Sequence, residues 1–563
     1  MTPAPWLIAT FALTFMFAVG ACVGSFLNVV AHRLPLGQGL FAPGSRCPRC
    51  ETPLRWTENF PVFGWLWLRG RCRFCRSPIS GEYPLIEVAT GLLFAGLYGA
   101  WFVHEATGVW GGSDAAPGWT HAGLLATWPM FTIVLTMIGS LIAMTLIDAR
   151  TFTIPLILPW VATAVAVVFQ PLHGAWIGAR HAGLPGVRDQ PWTIPVPDAL
   201  GLGLALGALL GVGASLLLVR AGLMRRSFWD YEVWEESARE SLSRTGTLAR
   251  VDTEIEPSVG GALLRALVLT GPAIALMGVG FTFGVRWGSP FVGMAVGTLL
   301  GLTIGGVLRA VLVSRIEKST RAERSAATPA PVPAVPEPGP SKPVSRVVRV
   351  ALCVAPVVIF GAAGWALDPF HTLTGAGMGL LAGVLALGAL AGRGGDDAGE
   401  EPTLWLAYPH ARREMGREAL FLAPAAVLAV LGAVALPAVF AAELPLWLAA
   451  LGGALVGYVV GGGVVWMIRI VGTLALGKEA MGMGDVHLMA AVGACLGWID
   501  PLLAFFTAPL FGLSWALLSA LASGSRVGAL PFGPHLALAT IAVVTARPWY
   551  DALLARLMHA PGV

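Results

Sequence analysis

The chain has 563 residues, of which 56% are hydrophobic and only 12% charged, and its mean hydropathy is +0.73. Soluble domains carry about twice that share of charge, so the composition excludes an ordinary water-soluble globule and calls for lipid as the solvent. A formal net charge of +4 leaves no electrostatic footprint for a general nucleic-acid binder, and no nucleic-acid partner is expected.

From the N-terminus, Met1 to Val19 lacks a basic lead-in and its apolar run continues through Gly20 to Val30. The start therefore reads as a first transmembrane helix over 1–32, not as a signal peptide. Further apolar runs of roughly 17–25 residues predict about fourteen spans. They centre near residues 18, 94, 136, 163, 209, 274, 302, 357, 382, 431, 458, 491, 512 and 539. The fold class predicted is an all-α polytopic membrane protein with a small cytoplasmic zinc-knuckle module. Most of the 71 glycines and 41 prolines fall inside apolar runs, where small residues let helices pack closely.

Five segments follow from this pattern. After the first span comes a polar segment, 33–83, rich in arginine and cysteine. Residues 84–175 form a membrane core, 176–445 an inserted membrane block, and 446–563 a second part of the core. Arg33, Arg46, Arg49, Arg55, Arg69, Arg71, Arg73 and Arg76 assign 33–83 to the cytoplasm. Alternation from there leaves 105–122 and 173–197 outside and 220–260, 314–346 and 392–418 inside, in agreement with their content of basic residues. Within 224–256, Phe228, Tyr231 and Trp234 recur at helical spacing and suggest an amphipathic surface helix. Residues 325–345 are a Pro/Ala linker expected to be extended.

The strongest local motif is the pair CPRC at 47–50 and CRFC at 72–75. Two such knuckles supply four thiolates, Cys47, Cys50, Cys72 and Cys75, that can close a tetrahedral zinc site. A cytoplasmic location argues against disulfides. A closed four-sulfur site would hold the fold and take no part in catalysis. The remaining cysteines, Cys22, Cys353 and Cys495, read as small apolar residues.

A second signal is a pair of carboxylates at membrane boundaries. Asp148 ends the run TMIGSLIAMTLID, and Asp485 opens GMGDVHLMAAVGA. Acidic groups beside apolar helices are costly and default to a functional role. Two brought together can act as base and acid in peptide hydrolysis. Gly482 and Gly484 would let backbone approach closely. Taken alone, an aspartate at a helix start is more often an N-cap. Asp198, Asp368 and Asp500 suit caps or turns, Arg150 is expected to snorkel or to pair with Asp148, and His535 is an isolated histidine in an apolar setting.

Taken in order, several segments resemble the type IV prepilin peptidases, leader peptidases of the GxGD aspartic class. They are GSFLNVVAHRLP at 24–35, SRCPRC at 45–50, NFPVFGWLWLRGRCRFCRSPISGEYPLIE at 59–87, and IDARTFTIP at 147–155. Then come GKEAMGMGDVHLMAAVGACLGW at 477–498 and PFGPHLALA at 531–539. The resemblance covers roughly 1–175 and 446–547. It implies a bifunctional inner-membrane enzyme of type IV pilus or type II secretion systems. Such an enzyme cleaves the basic leader of prepilins or pseudopilins at the cytoplasmic face, usually between Gly and Phe. It implies Asp148 and Asp485 as the catalytic pair. Through the four cysteines, it also implies methylation of the new N-terminal amine by S-adenosylmethionine. Membrane lipid is the remaining partner.

This chain departs from the family pattern at three places. Arg150 and Leu156 stand where the family often has further aspartates, and His487 stands where it has lysine two residues after the GxGD aspartate. Gly482, Gly484, His487 and Arg150 are the residues expected to shape the site. The block 176–445 has no family counterpart, but its even number of predicted spans preserves the sidedness of Asp485. Two other classes remain open from sequence. One is a transporter using Asp148 and Asp485 as proton-relay carboxylates; the other is a catalytically inactive pilus or secretion assembly scaffold.

Overall fold

The computed structural model describes residues 5–42, 44–103, 116–117, 119–120, 123–180, 196–245, 354–363, 371–391, 408–440, 443–523, 531–547 and 549–552. Among these the chain is helical, and its only β pairings are two isolated bridges in the cysteine segment. In chain order the helices are α1 (Pro5–Arg33), α2 (Phe63–Trp67), α3 (Glu82–Tyr98, continued by a π turn over Gly99–Val103), α4 (Leu124–Thr151) and α5 (Ile157–Arg180). Then follow α6 (Ala199–Arg220), α7 (Tyr231–Thr245), α8 (Val354–Ala363), α9 (His371–Ala391) and α10 (Ala411–Val439). The last are α11 (Leu446–Leu476), α12 (Met483–Leu496), α13 (Ile499–Ser523) and α14 (Gly533–Thr545).

Each span centre expected on the described residues falls within one of these helices. Eight helices, α1, α3, α4, α5, α6, α10, α11 and α13, are long and apolar enough to cross a membrane. Four more apolar helices, α8, α9, α12 and α14, are shorter. The spans centred near 274 and 302, the loop 314–346, the linker 325–345, Cys353 and Asp368 lie outside the described residues.

The bundle is organised around α4. From Met130 to Asp148 its residues are almost all buried, against α1, α5, α9, α12 and α14. The outer helices α1, α10 and α13 instead expose Phe11, Phe15, Val434, Phe506 and Leu513, the pattern of a lipid-facing surface. Close helix pairs meet at small residues, as the glycine content led one to expect. Gly20 and Gly24 of α1 lie against the α3 backbone, and Gly457 of α11 against Gly493 of α12, so near that a methyl group on any of the four would strike main chain.

The helices described within residues 176–445 pack on the rest of the bundle. Helices α6 and α10 pair with each other and with α11, while α9 packs on α3, α4 and α14. The amphipathic segment does form a helix, α7, although Phe228 precedes it in a left-handed conformation (φ 55°). Phe228, Tyr231 and Trp234 surround Tyr408, with ring centroids 5.3–5.6 Å away.

Candidate functional site: a buried aspartate pair beside a four-cysteine module

Helix α4 stops one turn after Asp148. Phe152 adopts a left-handed cap conformation (φ 52°) and donates its N–H to the Asp148 carbonyl, and Pro155 prevents the helix from resuming before α5. Across the bundle, α11 ends at Gly477 (φ 81°), a conformation glycine adopts without cost. The loop 478–482 then leads into α12. Asp485 falls in the first turn of α12, and its carboxylate accepts the N–H of Gly482, the residue that caps the helix.

Asp148 and Asp485 are both buried, 6% and 7% exposed, and lie within electrostatic reach of each other. Asp148 accepts the backbone N–H of Gly533 at the start of α14. The turn between α4 and α5 fills the space around them. A methyl group on Gly484 would come within 2.8 Å of Ile154 Cβ, and one on Gly533 within 2.6 Å of Asp148 Oδ2 and 3.2 Å of Ile154 Cδ1. A side chain at Gly484 would press on the Ile154 Cβ, and one at Gly533 would push the Asp148 carboxyl aside. Gly533 and Ile154 were not among the residues singled out from sequence, although the segments PFGPH and IDARTFTIP carried the signal.

Arg150 does not pair with Asp148. Its guanidinium reaches Glu82 at the start of α3, Nη2 to Oε2 2.6 Å, because two residues along a helix place it on another face. The same geometry separates His487 from Asp485; the His487 ring is half-buried in α12. Cys495 is buried as expected, whereas Cys22 is exposed on α1. Asp198 caps α6 by accepting the Gly201 N–H at 2.8 Å, and Asp500 pairs with Arg547. His535 does find a partner, the Pro531 carbonyl, 3.0 Å from Nδ1.

The Arg150–Glu82 pair, together with Asn28 Nδ2 donating to the Tyr83 carbonyl at 3.1 Å, puts the 33–83 segment at the same end of the bundle as Asp148. That segment contains two turns of one design. In CPRCETP the Cys47 N–H donates to Thr52 O and the Glu51 N–H to Cys47 O; in CRFCRSP, Cys72 to Ser77 and Arg76 to Cys72 repeat the pattern. Each turn is closed by a bridge, Arg46 with Pro53 and Arg71 with Pro78, and each has a left-handed residue, Glu51 and Arg76.

The four sulfurs of Cys47, Cys50, Cys72 and Cys75 all lie within 4.8 Å of one another. Cys47 and Cys75 are 3.8 Å apart and Cys50 and Cys72 3.9 Å, and none is in a disulfide. Tetrahedral zinc with Zn–S bonds near 2.3 Å sets its sulfurs about 3.8 Å apart, so this donor set fits a four-thiolate metal ion. The Cys75 thiol is lowered to about 6, first by hydrogen bonding to the Ser77 hydroxyl and backbone N–H. Cys47 is lowered chiefly by the Cys50 and Arg49 N–H groups. Cys72 is raised, because burial and the neighbouring Cys47 and Cys75 sulfurs outweigh the N–H groups of Cys75 and Phe74. The module is joined to the bundle by Glu87 of α3, whose Oε2 accepts the Val62 N–H at 2.6 Å.

Residues 18–101 match the family described as Bacterial Peptidase A24 N-terminal domain. The chain is 35% identical over 218 residues to the prepilin leader peptidase/N-methyltransferase of Klebsiella pneumoniae, covering 85% of that protein and 35% of this one. The chain belongs to the prepilin leader peptidase/N-methyltransferase family. The family protein of Aeromonas hydrophila is 35% identical over 240 residues, 74% of its length and 37% of this chain. That of Myxococcus xanthus is 60% identical over 80 residues, and there the match spans only 24% of the relative and 14% of this chain. No solved structure matches.

Proposed function

We propose that this protein is an intramembrane aspartic endopeptidase that cleaves the leader from type IV prepilins or pseudopilins and then methylates the exposed amine. The observation that carries the reading is the convergence of Asp148 and Asp485, far apart in sequence, into one buried site steadied by glycine backbone. In such a mechanism the ionised carboxylate takes a proton from water as the oxygen attacks the scissile carbonyl carbon. The protonated partner supplies its proton to the amide nitrogen as the C–N bond breaks. The products are a leader with a free carboxyl and a mature pilin with a free amine, the acceptor for a methyl group from S-adenosylmethionine. Burial at the end of the bundle supports exclusion of bulk water from the reacting groups.

The four cysteines would hold structural zinc in this reading. The ion would cross-link the two turns and leave no open coordination position. The arginine-rich module and both aspartates share one end of the bundle, which supports placing the site at the cytoplasmic face of the inner membrane. Purified full-length protein in detergent should convert a model prepilin to leader and mature pilin. Folded protein that leaves the substrate intact would overturn the reading in favour of a transporter or scaffold.

Two further outcomes are expected. Gly533→Ala should lower kcat on the order of a hundredfold while the protein accumulates normally, because the added methyl displaces the Asp148 carboxyl. Cleavage within threefold of the parent would remove Gly533 from the site. Cys50→Ser should depress methylation of processed pilin more than cleavage, since the thiols and the carboxyls belong to separate parts of the fold. Equal loss of both activities in folded protein would show that the parts do not act independently.

A further inference from the structure

Helix α10 belongs to the inserted block, yet its first two turns touch the segment that delivers Asp485. The contact centres on Arg469 of α11, which is only 2% exposed. A guanidinium so buried must have its charge and its donors matched. Three groups do this. The Glu418 carboxylate of α10, itself 2% exposed, takes the guanidinium edge-on, with Nε 3.2 Å from Oε2 and Nη2 3.1 Å from Oε1. The other two, Glu479 Oε1 and the Met481 carbonyl, both accept from Nη1, and both are in the loop between α11 and α12.

One side chain therefore ties the inserted block to the loop that ends at Gly482, whose N–H the Asp485 carboxylate accepts. The tie is braced on every side. Glu418 Oε2 also accepts the Trp466 indole N–H at 2.8 Å, and the Phe228 ring lies 5.5 Å from the Arg469 Cζ. Phe228 is held by its N–H to Glu414 Oε2 at 2.8 Å. A second grip lies nearly two turns earlier on α10, where Arg412 Nε donates to the Leu474 carbonyl at 3.1 Å, and the Arg412 guanidinium occupies the space beside Gly477. Within the loop, Thr473 Oγ1 receives the Ala480 N–H at 3.0 Å.

We infer that Glu418 is a positioning residue for the proposed peptidase, setting the Asp485 carboxyl through Arg469 and the 478–482 loop. The inference rests on the reading of Asp148 and Asp485 as the reacting pair. Without the Glu418 charge the guanidinium loses one of the two carboxylates that fix its plane. It then turns toward Glu479 or admits water, and the Met481 carbonyl and the Gly482 N–H move with it. A displacement of a fraction of an ångström there falls on the Asp485 carboxyl, so turnover suffers more than recognition. The inserted block thereby becomes part of the machinery that assembles the site.

The test uses the full-length protein and a purified prepilin, with kcat and KM measured separately. Glu418→Gln should lower kcat at least tenfold with KM changed less than twofold. Glu479→Gln should act similarly, and the double variant should be no worse than the more damaging single, because both act through the same guanidinium. Trp466→Phe, which leaves every charge in place, should lower kcat by a smaller factor; it carries the test if Glu418→Gln does not accumulate. Parental kcat in Glu418→Gln, or in Trp466→Phe where that variant carries the test, overturns the inference. A drop in both variants matched by a parallel rise in KM does so too, since it would mark general loosening of the fold. If Asp148→Asn or Asp485→Asn cleaves normally, the failure lies in the reading of the pair. If both are inactive while Glu418→Gln is parental, only the positioning role fails.

Discussion

Asp148→Asn and Asp485→Asn should each reduce prepilin cleavage on the order of 10²–10⁴-fold, the share a positioned acid or base contributes. Asparagine keeps the shape of the side chain and its capacity to accept the Gly533 or Gly482 N–H, so the fold should survive. What it loses is the exchangeable proton. The double variant should be no slower than the slower single, because two groups acting as one unit are not additive. Initial rates on a purified prepilin, with thermal unfolding as a control for folding, decide the matter. A single variant cleaving within threefold of the parent would remove that residue from the proposed pair. Additive losses would assign the two carboxyls to separate steps.

The purified protein should carry about one zinc ion per chain, and Cys72→Ser should lose it, since a structural site stripped of one thiolate surrenders much of its binding energy. The consequence should be local unfolding. Between α1 and α3 the segment has little secondary structure beyond α2, and much of its aromatic surface, Phe41, Trp56, Trp67 and Phe74 included, is exposed. So small a unit lacks the core to stand without a cross-link. Limited proteolysis should then cut Cys72→Ser within 33–83 while the parent resists, and adding zinc to the parent after chelation should restore resistance. Less than about a tenth of an equivalent of metal in protein prepared without chelators would refute the zinc assignment. Equal protease resistance in parent and variant would show that the turns need no metal.

The two predictions draw on features that differed in how plainly the sequence displayed them. The cysteine module was legible because its chemistry is local. Each CxxC sets two sulfurs on one turn, and identical spacing to Pro53 and Pro78 builds two turns of one geometry. The membrane class was legible for a similar reason, since a span is a composition sustained over a known length. The aspartates were visible as costly groups at helix ends, and the order of motifs around them identified the family.

Partners across the bundle were not legible in the same way. Arg150 was expected to snorkel or to pair with Asp148 and instead binds Glu82 on another helix, because a helix turns i and i+2 to different faces. Gly533 attracted no notice as one glycine among 71, and only the packing of α14 against the end of α4 makes it necessary. Glu418 stands in no motif, and only the crossing of α10 with α11 brings it to Arg469 and so to the approach to Asp485. Periodicity, spacing and motif order are properties of the chain alone, and they were enough for the membrane class and the family and to mark the four thiols and the two carboxyls as candidates. Which charge meets which, and which glycine must stay bare, depends on where separate helices cross. Those crossings are set by the summed packing of small and large side chains over the whole bundle, so the tertiary structure alone decided them.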